Sequence, residues 1–451
     1  MRKKSSAGKL ATLSPASNCS LSTSRFVLPK LRFPEFRDAP AWQRTSLGKI
    51  AEIELGKMLD ANKHTDGRLL PYINNISLRW NSVDTSSLPQ MRFKESELER
   101  YGLQEGDVLV CEGGEPGRSA VWDGRLPDLK FQKAIHRVRF HGPFVPKILV
   151  LYLEAIAGTT AFESLFTGGG IRHLTRETFA KLAIPDLPFP EQQRIADCLT
   201  SLDEVIAAQG RKVEALKAHK RGLMQQLFPR EGETRPRLRF PEFRDAPEWR
   251  VDPLSRYIQT LDAGVSVNSG DRPALEKEVG ILKTSCVTNG VFDHSENKVV
   301  LEAHELRRVK EPVRANTIII SRMNTIALVG ANAFVERDMP GLFLPDRLWA
   351  AKATGKGHPR FLAYVLGSDQ GRAALSELAA GSSGTMKNIG KTDVLALKVS
   401  APVLAEQQRI ADCLASLDTR ITAESKELAA LKTHKQGLMQ QLFPAPEAVS
   451  A

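Results

Sequence analysis

Glu191 to Pro229 reads EQQRIADCLTSLDEVIAAQGRKVEALKAHKRGLMQQLFP, and Glu406 to Pro444 reads EQQRIADCLASLDTRITAESKELAALKTHKQGLMQQLFP. The copies are identical at 27 of 39 positions, without a gap, at a constant offset of 215. Apolar residues in each step by four and then three: Ile195, Leu199, Leu202, Ile206, Val213, Leu216, Leu223 and Leu227 in the first. Ile410, Leu414, Leu417, Ile421, Leu428, Leu431, Leu438 and Leu442 follow in the second. A 3.5-residue period is the seam of a coiled coil. Its missing beats are polar in both copies, Gln209 and Lys220, then Glu424 and Lys435, and polar seam groups trade stability for register and partner choice. A helix of this length spans about 57 Å and does not stand alone in water. The spacing therefore predicts that the two copies pair with each other. Gly222 and Gly437 sit inside both helices, where Gly costs about 1 kcal/mol against Ala, so a close backbone approach is expected there.

A second stretch is also doubled. Leu31 to Trp42 reads LRFPEFRDAPAW and Leu238 to Trp249 reads LRFPEFRDAPEW, differing only at Ala41 against Glu248. Proline and paired aromatics predict an extended lead-in that docks through Phe33, Phe36 and Trp42. Between each lead-in and its helix lie about 150 residues, Gln43 to Leu187 and Arg250 to Ala401. Short β-rich runs are read at Tyr72-Ile73, Asp107 to Val110 and His136 to Phe140 in the first. Those of the second are Val279 to Leu282, Val291-Phe292 and Thr317 to Ile320. Helical patterns follow at Pro146 to Ala157 and Pro359 to Leu366, which predicts mixed α+β domains. The intervening domains align faintly, but Leu103 to Val110 matches Val313 to Ile320. The chain is thus an internal duplication whose helices stayed alike while its domains drifted, as expected if the helices repeat one mechanical job and the domains read different targets.

Connectivity adds geometry. Only a short linker separates the end of the first helix from the second lead-in, so the second domain starts near that end and finishes at the beginning of the second helix. Antiparallel packing puts those two ends side by side, whereas parallel packing would make the domain bridge about 57 Å.

The composition is that of a globular protein, 42% hydrophobic and 25% charged, with no apolar run that would span a membrane. Five cysteines without C-x-x-C spacing, with Cys198 and Cys413 at equivalent helix positions read as small buried thiols, predict a reducing cytoplasm. The net charge of +11 is concentrated in Met1 to Pro34, which holds seven Lys or Arg and no acid; the remainder carries 56 basic residues against 52 acidic. Charge alone is thus a weak pointer to nucleic acid.

Catalytic motifs are missing. Gly390-Lys-Thr lacks the upstream glycine of a P-loop, since position 385 is Thr. No H-E-x-x-H, G-x-S-x-G or paired Cys/His metal spacing occurs. Glu112-Gly-Gly-Glu-Pro-Gly117 reads as a turn. Two Gly-rich loops with a basic residue precede the long helices at matching positions, Gly168 to His173 and Gly381 to Asn388. Backbone N–H groups at Gly169, Gly170 and Gly384 suit a phosphate, Arg172 and Lys387 supply charge, and His173 and Asn388 suit a base edge. A plain Gly-rich turn with a solvated basic residue remains the alternative.

Doubled F-P-E-Q-Q-R-I-A helices ending in G-L-M-Q-Q-L-F-P, each domain led in by L-R-F-P-E-F, resemble the DNA-specificity subunit of Type I restriction–modification systems. The resemblance covers nearly everything after about Pro29. It implies two target-recognition domains, each reading half of an asymmetric bipartite site on double-stranded DNA, with the helices as a ruler. It also implies partners: two modification (methyltransferase) subunits holding S-adenosylmethionine, and restriction/translocase subunits using ATP and Mg. No cofactor or metal is then expected on this chain. A coiled-coil adaptor with two protein-binding heads is the competing reading.

The expected architecture is α+β: two mixed domains joined by two long antiparallel coiled-coil helices, with a pseudo-twofold internal repeat. Its expected parts are a disordered basic tail (1–28), recognition domain 1 (29–187), spacer helix 1 (188–229), recognition domain 2 (230–401), spacer helix 2 (402–444) and a tail (445–451). The seam is expected to rest on Leu199, Leu202, Leu216, Gly222 and Leu223 in the first helix. Leu414, Leu417, Leu431, Gly437 and Leu438 are the second helix's share.

Overall fold

The computed structural model describes residues 26–58, 66–166, 172–379 and 386–444. Two compact units emerge: one takes the chain up to Ala208 together with the stretch from Leu428, the other runs from Gln209 to Glu427. Strands β1 (Ala51–Leu55), β2 (Val108–Cys111), β3 (Ser119–Val121) and β4 (Ile135–Phe140) of the first unit form an antiparallel sheet in the order β1-β4-β2-β3. Helix α1 (Pro146–Ile156) follows, then the long helix α2 (Phe189–Leu227). In the second unit, β5 (Ile258–Ala263), β6 (Thr317–Ser321), β7 (Asn332–Val335) and β8 (Leu348–Ala353) pair antiparallel as β5-β8-β6-β7. Helix α3 (Pro359–Gly367) and the long helix α4 (Leu404–Leu442) complete it. The same strand order arises twice, and the matched stretches Leu103 to Val110 and Val313 to Ile320 end in its equivalent strands, β2 and β6.

Each sheet is hydrophobic because β2 and β6 are buried along their whole length, the mark of a strand covered on both faces. In the first unit α1 packs over the sheet with Ile148 to Leu153 buried. In the second, Phe361, Leu362 and Leu366 of α3 do the same. Most strand readings fall where expected, but Val291-Phe292 lies in a bend rather than a strand. There Asp293 accepts from the Ser295 backbone and hydroxyl, which closes a turn, and Val291 stays exposed.

Helices α2 and α4 are each 39 residues long, and their pairing can be followed inside each unit. In the first, Ile195, Ala196 and Leu199 share a core with Met439, Leu442 and Phe443. In the second, Ile410, Ala411 and Leu414 share one with Leu227, and Leu223 packs against it. The start of one helix lies on the end of the other both times, so the pairing is antiparallel. Each long helix gives one half to each unit. Leu202, Leu216, Leu417, Leu431 and Leu438 are half-buried seam positions.

The polar beats find one another. Gln209 donates to the Glu424 carboxylate at 2.7 Å and to its carbonyl at 3.1 Å. Lys220 pairs with Asp418 at 2.5 Å, and Lys435, 7% exposed, pairs with Asp203 at 2.7 Å. Lys220 and Lys435 are 215 apart, as are Asp203 and Asp418, so one ion pair is made twice. Burial alone would push the Lys435 ammonium down in pKa, but the bonds and charges of Asp203 and Glu154 outweigh it and the net shift is upward.

The expectation for Gly222 and Gly437 is corrected. A Cβ at either would meet nothing within 4 Å, so among the described residues no backbone makes the close approach expected there. Gly222→Ala and Gly437→Ala are each expected to stabilise the chain by about 1 kcal/mol, the ordinary helix-propensity difference, measured by urea denaturation. A loss of stability at either would show a close approach after all.

The lead-ins also differ from expectation. Pro34–Phe36 and Pro241–Phe243 are single 3-10 turns rather than extended chain, because proline presets the first turn position. A strand at Phe26–Val27 pairs with Trp42–Ser46, so these two residues of the stretch expected to be tail are in a sheet.

Candidate nucleic-acid interface

The lead-in is an anchor before it is anything else. Arg32 grips Glu191 with both ends of its fork, at 2.6 and 2.7 Å, and donates to the Ala39 carbonyl at 2.7 Å. Arg239 does the same to Glu406, at 2.8 and 2.7 Å, and to the Ala246 carbonyl at 2.7 Å. Both glutamates are buried, at 0 and 1% exposure. The reciprocal charges close the joint, Glu35 with Arg194 and Glu242 with Arg409, the two arginines lying over Phe33 and Phe240. Leu31 N–H then satisfies the Gln441 carbonyl and Leu238 N–H the Gln226 carbonyl, both at 2.9 Å, at the end of the opposite long helix. Buried Gln192 accepts from Val145 N–H at the head of α1, and Gln407 from His358 N–H at the head of α3. The repeated E-Q-Q-R thus ties lead-in, domain and both helices together.

At the loops preceding the long helices, Gly169, Gly170 and Gly384 lie outside the described residues. Arg172 and His173 are exposed, and Arg172 is ion-paired with Glu163. His173 is no open loop residue: it bridges Gly113, and Leu174 N–H donates to the Glu112 carbonyl at 2.8 Å. Lys387–Asn388 forms a two-residue strand against Met323–Asn324, and Ile389 N–H donates to the Arg322 carbonyl at 3.0 Å. In both units, then, the turn that follows the central strand, β2 or β6, holds the two residues after the basic one, His173-Leu174 or Asn388-Ile389. The Glu112 to Gly117 turn, dismissed from sequence, is half of this junction. Its counterpart around Arg322 to Asn324 was not singled out, because nothing in the linear order links a turn to a loop some 60 residues later.

The approach is close here: a Cβ on Gly113 would stand 3.2 Å from His173 Nδ1. Beneath the junction, buried His136 lies 2.7 Å from the Leu174 carbonyl through Nε2. A carbonyl only accepts, so Nε2 is the donor, and burial pushes the pKa of the ring below the ordinary histidine value. Around the first turn, Trp80 donates to Glu115 at 2.9 Å and Arg118 to Glu115 and to the Asn75 carbonyl. Around the second, Arg322 donates to the Asp346 carbonyl and lies over Trp349. The arrangement offers exposed donors and acceptors on a fixed frame, which suits binding.

A family model for the Type I restriction modification DNA specificity domain matches residues 41–218 and 295–433. The Type I restriction enzyme MjaVIII specificity subunit of Methanocaldococcus jannaschii is 25% identical over 299 residues, 65% of this chain and 69% of that protein. The putative Type I restriction enzyme MjaX specificity subunit of the same organism is 23% identical over 423 residues, 89% of this chain and 92% of that protein. Among solved structures, the Type I restriction–modification S subunit from M. genitalium superposes with a TM-score of 0.59 at 16% identity, over 93% of this chain and 100% of that one. A chain from a Type I R-M system solved for its complex assembly and conformational transition gives 0.52 at 16% identity, over 89 and 97%. Those two structural likenesses concern the fold. Among the described residues, no helix is long and apolar enough to cross a membrane.

Proposed function

We propose that this chain, which belongs to the Type I restriction–modification DNA specificity family, reads an asymmetric bipartite site on double-stranded DNA, one half-site per domain. Specificity subunits of this family are non-catalytic and act on DNA with other restriction–modification subunits. Here those partners are two modification subunits and restriction/translocase subunits, and the S-adenosylmethionine, ATP and Mg of the reactions sit on them, in the cytoplasm. The observation that carries the reading is the junction built twice. One backbone frame, a turn after the central strand that pairs with the chain just beyond a Gly-rich stretch, carries Glu115, Arg172 and His173 in one domain and Met323, Lys387 and Asn388 in the other. A common frame with unlike side chains is what two readers of different sequences need. The glycines Gly169, Gly170 and Gly384 belong to the same proposal as phosphate contacts, and the long helices set the gap between half-sites.

The test is an exchange. With Gln43 to Leu187 replaced by another recognition domain, methylome sequencing of cells carrying the cognate methylase is expected to show one half-site changed and the other kept. Both half-sites changing, or neither, would sink the assignment of one half-site per domain. The purified chain alone is expected neither to methylate nor to cleave DNA.

A further inference from the structure

We infer that Ile326 and Met386 are specificity determinants of the second domain, packing on the C5-methyl group of a thymine in the half-site that this domain reads. The inference rests on the DNA-reading function proposed above. Both side chains are large, apolar and exposed, at 51 and 42%. Met323 pairs with Asn388 and Asn324 with Lys387, so Met386 and Ile326, one and two residues beyond that last pair, leave the same end of the ladder. The turn that carries Ile326 is rigid. Leu328 and Val329 N–H groups both donate to the Thr325 carbonyl, Arg372 donates to the Ala327 carbonyl at 3.0 Å, and Ser376 to the Ile326 carbonyl at 3.3 Å. Four bonds thus fix a backbone whose apolar side chain faces outward, which core packing does not require. Arg322 and Lys387 adjoin it in sequence and register, adding basic groups of the kind that meet a phosphate backbone. An apolar contact beside polar readers matches the thymine methyl, the one apolar group displayed by a base edge in the major groove. The first domain's turn itself, Glu112-Gly-Gly-Glu-Pro-Gly117, carries no large apolar side chain.

Deoxyuridine lacks that methyl and keeps every hydrogen-bonding group, which makes the test direct. The full chain is purified with its methylase subunits, and duplexes carrying the methylome-defined site have each thymine of the second domain's half-site replaced in turn by deoxyuridine. One position is expected to weaken binding about 4-fold, the worth of one buried methyl. With Ile326→Ser and Met386→Ser, singly and together, the penalty at that position should shrink and then vanish, while the first domain's half-site and the unfolding midpoint stay unchanged. No sensitive thymine, or an undiminished penalty in the double variant, overturns the inference. Complete loss of binding by the double variant also overturns it, since a methyl contact accounts for only a few-fold. Failure of the parent reading looks different: exchanging Arg250 to Ala401 would then move neither half-site.

Discussion

Arg239→Ala is expected to destabilise the second unit by about 3–5 kcal/mol, the usual consequence of removing one partner from a buried ion pair. Glu406 is 1% exposed, and both of its oxygens face the Arg239 fork. Without the guanidinium its charge has no water to turn to. Arg32→Ala removes the equivalent group from Glu191, but with a smaller effect. Trp42 donates its indole N–H to Glu191 at 3.0 Å, whereas the buried indole nitrogen of Trp249 has no partner. One retained hydrogen bond to a charged acceptor makes a difference of about 1–2 kcal/mol. Arg239→Lys recovers only part of the loss, because an ammonium cannot hold both carboxylate oxygens and the Ala246 and Pro247 carbonyls together. Arg239→Ala combined with Glu406→Gln should restore much of it by removing the stranded charge. Denaturation of the full chain, with hydrogen exchange read separately in the two units, checks the order. Equal losses for Arg32→Ala and Arg239→Ala would show that the indole contributes nothing.

Gly264→Ala is expected to cost about 3 kcal/mol or more, and Gly56→Ala a similar amount, through overpacking. Each glycine directly follows the edge strand of its sheet, β5 or β1. A Cβ on Gly264 would fall inside the van der Waals shell of the Leu344 carbonyl, and one on Gly56 inside that of Gln132. The obstacle is backbone in both cases, leading into the neighbouring strand, so it cannot swing aside as a long side chain would. Gly56 N–H also donates to the Ile135 carbonyl at 3.0 Å, which fixes the approach. The contrast with Gly222 and Gly437 is the informative part: alanine is expected to help in the helices and harm at the strand ends. A mild effect of Gly264→Ala on unfolding and on exchange of the β5 and β8 amides would contradict this packing.

Much of the architecture was readable from residue order. The 3.5-residue period named the seam, and the short linker after the first long helix required antiparallel packing. Both are properties of neighbours along the chain. The Gly-rich loops with Arg172, His173, Lys387 and Asn388 were also visible, as residue types that suit DNA. Their frame was not, because Gly113 and Met323 meet His173 and Asn388 only after the strands have brought distant turns back.

What the amino-acid order determined by itself is the duplication, the two long helices, their opposed direction and the family. These follow from periodicity and chain connectivity, which need no knowledge of distant contacts. What tertiary structure alone decided is where polar groups find partners. Arg32 and Arg239 turn from surface charges into buried clamps, Lys435 settles between Asp203 and Glu154, and Gly264 rather than Gly222 becomes the glycine that cannot change. Burial sets the energy of a charge or a missing side chain, and burial depends on what folding places opposite it.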